Sequence, residues 1–131
     1  AEEVMSRYPI RDGVRDFCYG SIDEVDHAIR SRTTYPREYF ELVQGRVEET
    51  IPSCSPPQIA LLRLDTDWYE STRHELEHLY PLLAPGGVLM IDDYGVWHGA
   101  RRATDEYFER RLKPLLLLDS PDRSRVGIKP G

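Results

Sequence analysis

The sequence predicts an α/β fold with a parallel strand pair at its centre, and three observations carry that expectation. Residues 59–65 (IALLRLD) and 88–92 (VLMID) are nearly continuous apolar runs of strand length, the pattern of strands buried on both faces of a parallel sheet. Between them, TDWYESTRHELEHLYPLL sets Tyr69, Thr72, Leu76, Leu79, Tyr80 and Leu83 along one helical face. From residue 59 onward the chain reads β-α-β-α-β-β, an alternation that calls for right-handed crossovers on a sheet.

The preceding elements follow from local signals. Residues 1–20 have no clear period and carry Pro9, Gly13 and Gly20, so they read as a loop-like lead with at most one short element. Ser21 and Glu24 form a capping box, and SIDEVDHAIRSR places Ile22, Val25 and Ile29 on one helical stripe. TTYP breaks that helix. Residues 39–43 (YFELV) are a strand candidate ending near Gly45, and RVEET is a short helical turn before Ile51-Pro52. SCSPP is a loop. Further on, Pro85-Gly86-Gly87 is expected to end the second long element before its strand begins. A turn, DYGVWHG, leads to a third helix with Ala100, Ala103, Thr104 and Tyr107 inward. Residues 115–118 and 126–129, joined by a turn at Ser120-Pro121-Asp122, read as an antiparallel hairpin.

Composition bounds the function classes. A length of 131 residues suits one domain, 1–131, with one modest core. Seventeen Lys and Arg against 23 Asp and Glu leave a net charge of -6, which argues against a nucleic-acid phosphate backbone as partner. No apolar run approaches the roughly 18 residues of a membrane span, and the polar opening AEEVMSRYPI shows no secretory signal. Cys18 and Cys54 have no metal-ligand spacing and are too few for a disulfide framework. A reduced, cytoplasmic protein is expected.

The most informative constellation is acidic. Asp65 and Asp67 follow the first apolar run, and Asp92 and Asp93 follow the second. Loops beyond the carboxyl ends of strands form the ligand crevice of an open α/β sheet, and adjacent strands lie about 4.8 Å apart. Carboxylates converging there would repel one another and push some pKa values up. A hard divalent cation resolves the conflict, and oxygen-only donors favour Mg²⁺, with Mn²⁺ or Ca²⁺ behind it. The simpler reading is that Asp67 and Asp93 cap the helices that follow.

IALLRLDTDWYEST, LEHLYPLLAPGGVLMIDDYG and GARRATDEYF, in this order from Ile59 to Phe108, resemble the macrocin O-methyltransferase (TylF) family. SIDEV and QGRVEETIP extend the similarity more weakly upstream, making 21–131 the family-like region. The resemblance implies the C-terminal portion of a Rossmann-like class I methyltransferase sheet, preceded here by a helix and a strand. It implies S-adenosylmethionine and Mg²⁺ as cofactors, and a small-molecule glycoside as substrate. By position, Asp65, Asp92 and Asp93 match the family's metal-binding acids, and Asp65 also matches its proposed catalytic base. Asp67 stands at an acid of variable role and stays unassigned.

Such a fold should open with a strand and a glycine-rich turn against the cofactor. Upstream of Tyr39 the glycines Gly13 and Gly20 follow no apolar strand, so no cofactor-binding residue is assigned. The expectation is therefore an impaired or inactive methyltransferase. The alternative is a non-catalytic remnant serving as an interaction or dimerisation module. Without the family's first strand, 59–65 becomes an open apolar edge, which predicts a homodimer across that edge or an internal rearrangement in which 39–43 fills the gap.

Three further patterns invite function. His74-Glu75-Leu76-Glu77-His78 matches the H-E-x-x-H zinc-protease helix, but its face lies opposite the apolar stripe, and exposed polar residues are the better account. Trp97 and His98 follow IDDY and read either as substrate-facing or as partial core. The pairs Arg101-Arg102 and Arg110-Arg111 alternate with Glu106 and Glu109, which makes a solvated helix face with a Glu106–Arg110 pair.

Overall fold

The computed structural model describes residues 10–11, 14–15, 20–109, 118–119, 121 and 123–131. The chain divides into two compact units, Ala1–Gln44 and Gly45–Gly131, where the sequence predicts one domain.

In the first unit, β1 (Ile10–Arg11) and β2 (Val14–Arg15) form a two-stranded antiparallel ribbon. Helix α1 (Ile22–Arg32) starts as its capping box predicts: Glu24 N donates to Ser21 Oγ, and Ser21 N donates to Glu24 Oε2. Residues 39–43, expected as a strand, form none. Arg37–Tyr39 is instead a 3-10 turn. The Arg37 guanidinium bonds both the Asp26 carboxylate on α1 and the Phe40 carbonyl. An acceptor that a ladder would need is thus already engaged. Asp26 also takes Arg30 at 2.6 Å, and these hydrogen bonds hold its carboxyl below the usual range.

The second unit holds the sheet. Short helix α2 (Val47–Thr50) falls where RVEET predicts a helical turn. Strand β3 (Ile59–Leu64), helix α3 (Tyr69–Leu79) and strand β4 (Leu83–Ile91) form the β-α-β unit, with β3 and β4 parallel. Helix α4 (His98–Glu109) follows, then β5 (Leu118–Asp119) and β6 (Arg125–Ile128). The sheet order is β3-β4-β6-β5, and β5 and β6 pair antiparallel as expected of a hairpin. Residues 115–117 of the predicted strand lie outside the described residues, as do Cys18, Arg110 and Arg111.

The core gathers Leu62 and Leu64 of β3, Leu89 and Ile91 of β4, Leu76 of α3, Tyr80, Leu83, Tyr94 and Phe108 of α4. Ala100, Ala103 and Thr104 line the inner face of α4 as predicted. The strands are not buried on both faces, however. Leu61 is 64 % exposed and Ile128 65 %, while Leu62, Leu64 and Gly127 beside them are buried. Helices pack on one side only among the described residues, so the apolar run is split by the pleat into a covered and an uncovered half.

Pro85-Gly86-Gly87 does not end an element before the strand; it lies inside β4. Ile59 pairs with Leu83 and Leu61 with Val88, so β4 advances five residues while β3 advances two. Glycine is required at this irregularity: a Cβ on Gly87 would stand 2.8 Å from the Ala84 carbonyl and 3.0 Å from that of Ala60. Lys129 secures the neighbourhood. Its backbone exchanges hydrogen bonds with Gly86 and Gly87, and its Nζ donates to the carbonyls of Tyr80, Pro81 and Leu83 at 3.0, 3.1 and 2.6 Å. A cation there satisfies the open carbonyls at the end of α3 and its 3-10 extension. No helix among the described residues is long and apolar enough to cross a membrane.

Candidate acidic site at the strand ends

Register places the acids. Leu64 of β3 lies opposite Ile91 of β4, and Asp92 N donates to the Leu64 carbonyl at 2.9 Å. Asp65 and Asp92 therefore leave the sheet side by side. Period-two alternation sends Leu64 and Ile91 toward the helices and puts Arg63 and Asp65 on the other face. Arg63 uses this placement: its NH1 donates to Asp65 Oδ2 at 2.6 Å and its NH2 reaches Asp92 Oδ1 at 2.9 Å. One guanidinium thus holds an acid from each strand.

Asp65, Asp67 and Asp93 each offer a carboxylate oxygen, and the three oxygens lie within 4.8 Å of one another. Asp93 is pushed up to about 6, first by burial and then by the hydrogen bonding and negative charge of Asp67, with Asp92 adding to it. Burial and the nearby negative charges favour the protonated form of Asp93, against a hydrogen bond with Asp65 that lowers it. Around an octahedral Mg²⁺, ligand oxygens stand roughly 2.9 Å (adjacent) to 4.2 Å (opposite) apart. The three-carboxylate set fits that span after a small closure, and its all-oxygen chemistry suits a hard cation. The resemblance had grouped Asp65, Asp92 and Asp93. The geometry brings Asp65 and Asp93 together with Asp67, and gives Asp92 to Arg63.

The loop that carries Asp65 and Asp67 is fixed from behind. Asp67 adopts φ +63, a left-handed conformation that Asp tolerates better than most residues. It does not cap α3, since the cap position is Trp68 with no side-chain bond. Thr66 Oγ1 donates to Glu75 Oε2 at 2.8 Å, and Ser71 Oγ donates to the carbonyls of Thr66 and Trp68. Glu75 is buried, and desolvation pushes its carboxyl up to about 7. Glu75 shares the inward face of α3 with Ser71, Thr72 and Leu76, while His74 and His78, read from sequence as exposed, are half-buried on another face. His74 Nε2 lies 2.9 Å from the Ile51 carbonyl, His78 Nδ1 lies 2.9 Å from the His74 carbonyl, and the two rings stack at 4.1 Å.

The second acid loop is locked to the first. Val96 N and Trp97 N donate to the Asp93 carbonyl at 3.0 and 2.9 Å. The first turn of α4 presses on the other loop, so that a Cβ on Gly99 would stand 2.8 Å from Tyr69 N and 3.3 Å from the Asp67 carbonyl. Trp68 and Trp97 meet with ring centroids 5.8 Å apart and a tilt of 43°. On the outer face of α4, Arg102 pairs with Glu106 at 2.7 Å, and Glu106 also accepts from the Tyr69 hydroxyl.

Sequence reasoning missed Arg63 and Glu75 as parts of this site, and it placed Asp67 in the acidic cluster without assigning it as a ligand. A lone Arg inside an apolar strand, two residues before an acid on the same face, is the signal that marks Arg63. Spacing marks Glu75, which stands three residues after Thr72 and next to Leu76 on the inward helix face.

The chain resembles known proteins over this region. The family described as Macrocin-O-methyltransferase (TylF) matches residues 20–119. Over 70 residues the chain is 43 % identical to 8-demethyl-8-(2,3-dimethoxy-alpha-L-rhamnosyl)-tetracenomycin-C 4'-O-methyltransferase of Streptomyces olivaceus, covering 53 % of this chain and 26 % of that protein. Over 73 residues it is 41 % identical to mycinamicin III 3''-O-methyltransferase of Micromonospora griseorubida, covering 56 % and 28 %. The solved structure of the O-methyltransferase NovP superposes with a TM-score of 0.71 at 27 % identity, over 85 % of this chain and 46 % of that one. The matched region thus spans little more than a quarter of the curated relatives and under half of the solved one. The α/β architecture is the C-terminal portion of a Rossmann-like methyltransferase sheet, as the sequence predicts.

Proposed function

The chain belongs to the macrocin O-methyltransferase family, and from that premise we propose that its acidic strand ends serve methylation of a sugar hydroxyl dependent on S-adenosylmethionine and Mg²⁺. The observation that supports this most is the convergence of Asp65, Asp67 and Asp93 at the ends of adjacent parallel strands. Bound there, Mg²⁺ supplies the Lewis acidity that lowers the pKa of a sugar hydroxyl, while S-adenosylmethionine supplies the activated methyl group. Asp65 accepts the hydroxyl proton. Arg63 fixes the Asp65 carboxylate in one orientation and keeps Asp92 beside it. The half-buried Thr66 with the buried Ser71 and Glu75 holds the loop in place through their hydrogen bonds.

Asp65 and Asp93 belong to the ligand set by geometry and by resemblance alike; the third ligand is Asp67 by geometry and Asp92 by resemblance. Thermal unfolding with and without Mg²⁺ tests this. A cation at ten times its dissociation constant stabilises the fold by about 1.4 kcal/mol, and Asp93→Asn should abolish that shift. Asp67→Asn and Asp92→Asn then identify the third ligand by which of them removes it. A shift unchanged in Asp93→Asn overturns the site. These residues contain no glycine-rich turn after a strand, so S-adenosylmethionine affinity is proposed to be weak or absent in this chain. Calorimetric titration measures it, and micromolar binding would refute the impairment.

A second reading, a non-catalytic interaction or dimerisation module, draws on one observation. Strand β3 pairs only with β4 among the described residues, leaving an edge next to the exposed Leu61. Light scattering after size exclusion decides it, and a strict monomer removes it.

A further inference from the structure

Resting on the sugar-acceptor reading above, we infer that Trp68 and Trp97 form the platform on which the acceptor sugar ring stacks beside the carboxylates. The large apolar side chains exposed in the second unit fall into two groups. Leu61, Leu118 and Ile128 belong to the sheet. Trp68 and Val96, each more than half exposed, sit on the two loops that carry the acids. Trp68 directly follows Asp67, and Trp97 closes the turn that Asp93 opens, its N donating to the Asp93 carbonyl. The aromatic pair and the carboxylates are therefore carried by the same two short segments.

The backbone beneath the platform is tied down by hydrogen bonds and close packing. The Trp68 carbonyl accepts from Ser71 Oγ and from Thr72 N at 3.1 and 3.0 Å, and Gly99 of α4 packs against the 67–69 backbone. The tilted rings are carried by the same two segments as the clustered carboxylate oxygens. A pyranose offers the complement: one face of C–H groups for an indole, and hydroxyls at its rim for the acidic cluster. Ligand sites combine aromatic walls with a few convergent polar groups in this way, and an ordered platform loses little entropy when it binds. The class of ligand is thus a neutral hexopyranoside with an apolar face, and a deoxyhexose presents the larger one. An alternative role, stapling the two loops, needs the Trp68–Trp97 contact but no exposed indole face.

Both tryptophans of the chain lie in this pair, so fluorescence excited at the red edge of tryptophan absorption reports on this site alone. The protein is titrated with a methyl 6-deoxyhexopyranoside in Mg²⁺, and with glycerol as a hydroxylated compound that has no ring face. The expected result is a saturable change with the glycoside and none with glycerol. Trp68→Ala should weaken glycoside binding about tenfold, and Trp68→Phe should recover most of it. The Mg²⁺-induced rise in Tm should be the same in all three proteins. A glycoside affinity unchanged in Trp68→Ala, measured by calorimetry, overturns the platform. So does the absence of any saturable change in the wild type while the Mg²⁺ shift persists, and that outcome leaves the metal site standing. Loss of both responses removes the sugar-methylation reading and the platform with it.

Discussion

The two faces of the sheet in Gly45–Gly131 are built from the same strands and the same kinds of residue, yet they end in opposite states. On one face Leu62, Leu64, Leu89 and Ile91 are almost entirely shielded by α3 and α4. On the other, Leu61, Leu118 and Ile128 are each more than 60 % exposed, with Val88, Met90 and Val126 half-buried among them. Burial is therefore not a property of the apolar run. It depends on whether an element exists to cover each side, and the pleat assigns alternate residues to each fate. The acids obey the same geometry, since Asp65 shares the Arg63 face and the Leu64 face belongs to the core.

The largest test of this asymmetry is truncation in matched positions. Leu76→Ala and Leu89→Ala, both at 0 % exposure, should each cost about 2–5 kcal/mol in urea unfolding. Leu61→Ala should cost less than about 1 kcal/mol. Comparable losses would show that the second face is covered in solution.

Glu75 sharpens the comparison by placing a carboxyl on the covered side. Its folded pKa of about 7 lies above the ordinary 4.5, so the folded chain holds a proton that the unfolded chain releases between those values. Stability should accordingly fall as pH rises from about 4.5 to 7, by about 3 kcal/mol in all, and level off beyond. Glu75→Gln keeps an acceptor for Thr66 and should flatten that dependence, leaving the variant more stable than the parent at pH 8. A slope that survives the substitution assigns the titration to another group.

At the margin between strands and helix, Lys129→Met removes three hydrogen bonds to the carbonyls of Tyr80, Pro81 and Leu83. The expected cost is about 1–2 kcal/mol, read from the urea midpoint. The smallest effect belongs to the uncovered face. Leu61→Lys should change monomer stability by less than about 0.5 kcal/mol, while dispersing any self-association across β3 as seen by light scattering. A strongly destabilised monomer would mean that Leu61 is buried by the chain itself.

Much of this was legible along the chain. The Ser21–Glu24 box, the inner stripe of α4 and the parallel β3-α3-β4 unit follow from local spacing, because capping and periodicity act over a few residues. The misplaced strand at 39–43 has suitable composition, but a strand exists only with a partner, and Arg37 occupies the Phe40 carbonyl instead. Pro85-Gly86-Gly87 reads as a stop, yet the lattice of β3 and β6 accommodates it as an irregularity within β4. Glu75 has the polarity of a surface residue, yet it sits on the inward face of α3 beside Leu76 and accepts from Thr66 of the preceding loop.

By itself, the sequence determined the order of elements from residue 59 onward and the family, and it put four carboxylates at the ends of two strands. Those features depend on residue type and near-neighbour spacing. Tertiary structure decided which carboxylates meet, that Arg63 takes Asp92 and Asp65, that two distant tryptophans touch, and which half of each apolar strand is hidden. Those outcomes depend on strand register and on what packs above each face, and neither is encoded in any short stretch of chain.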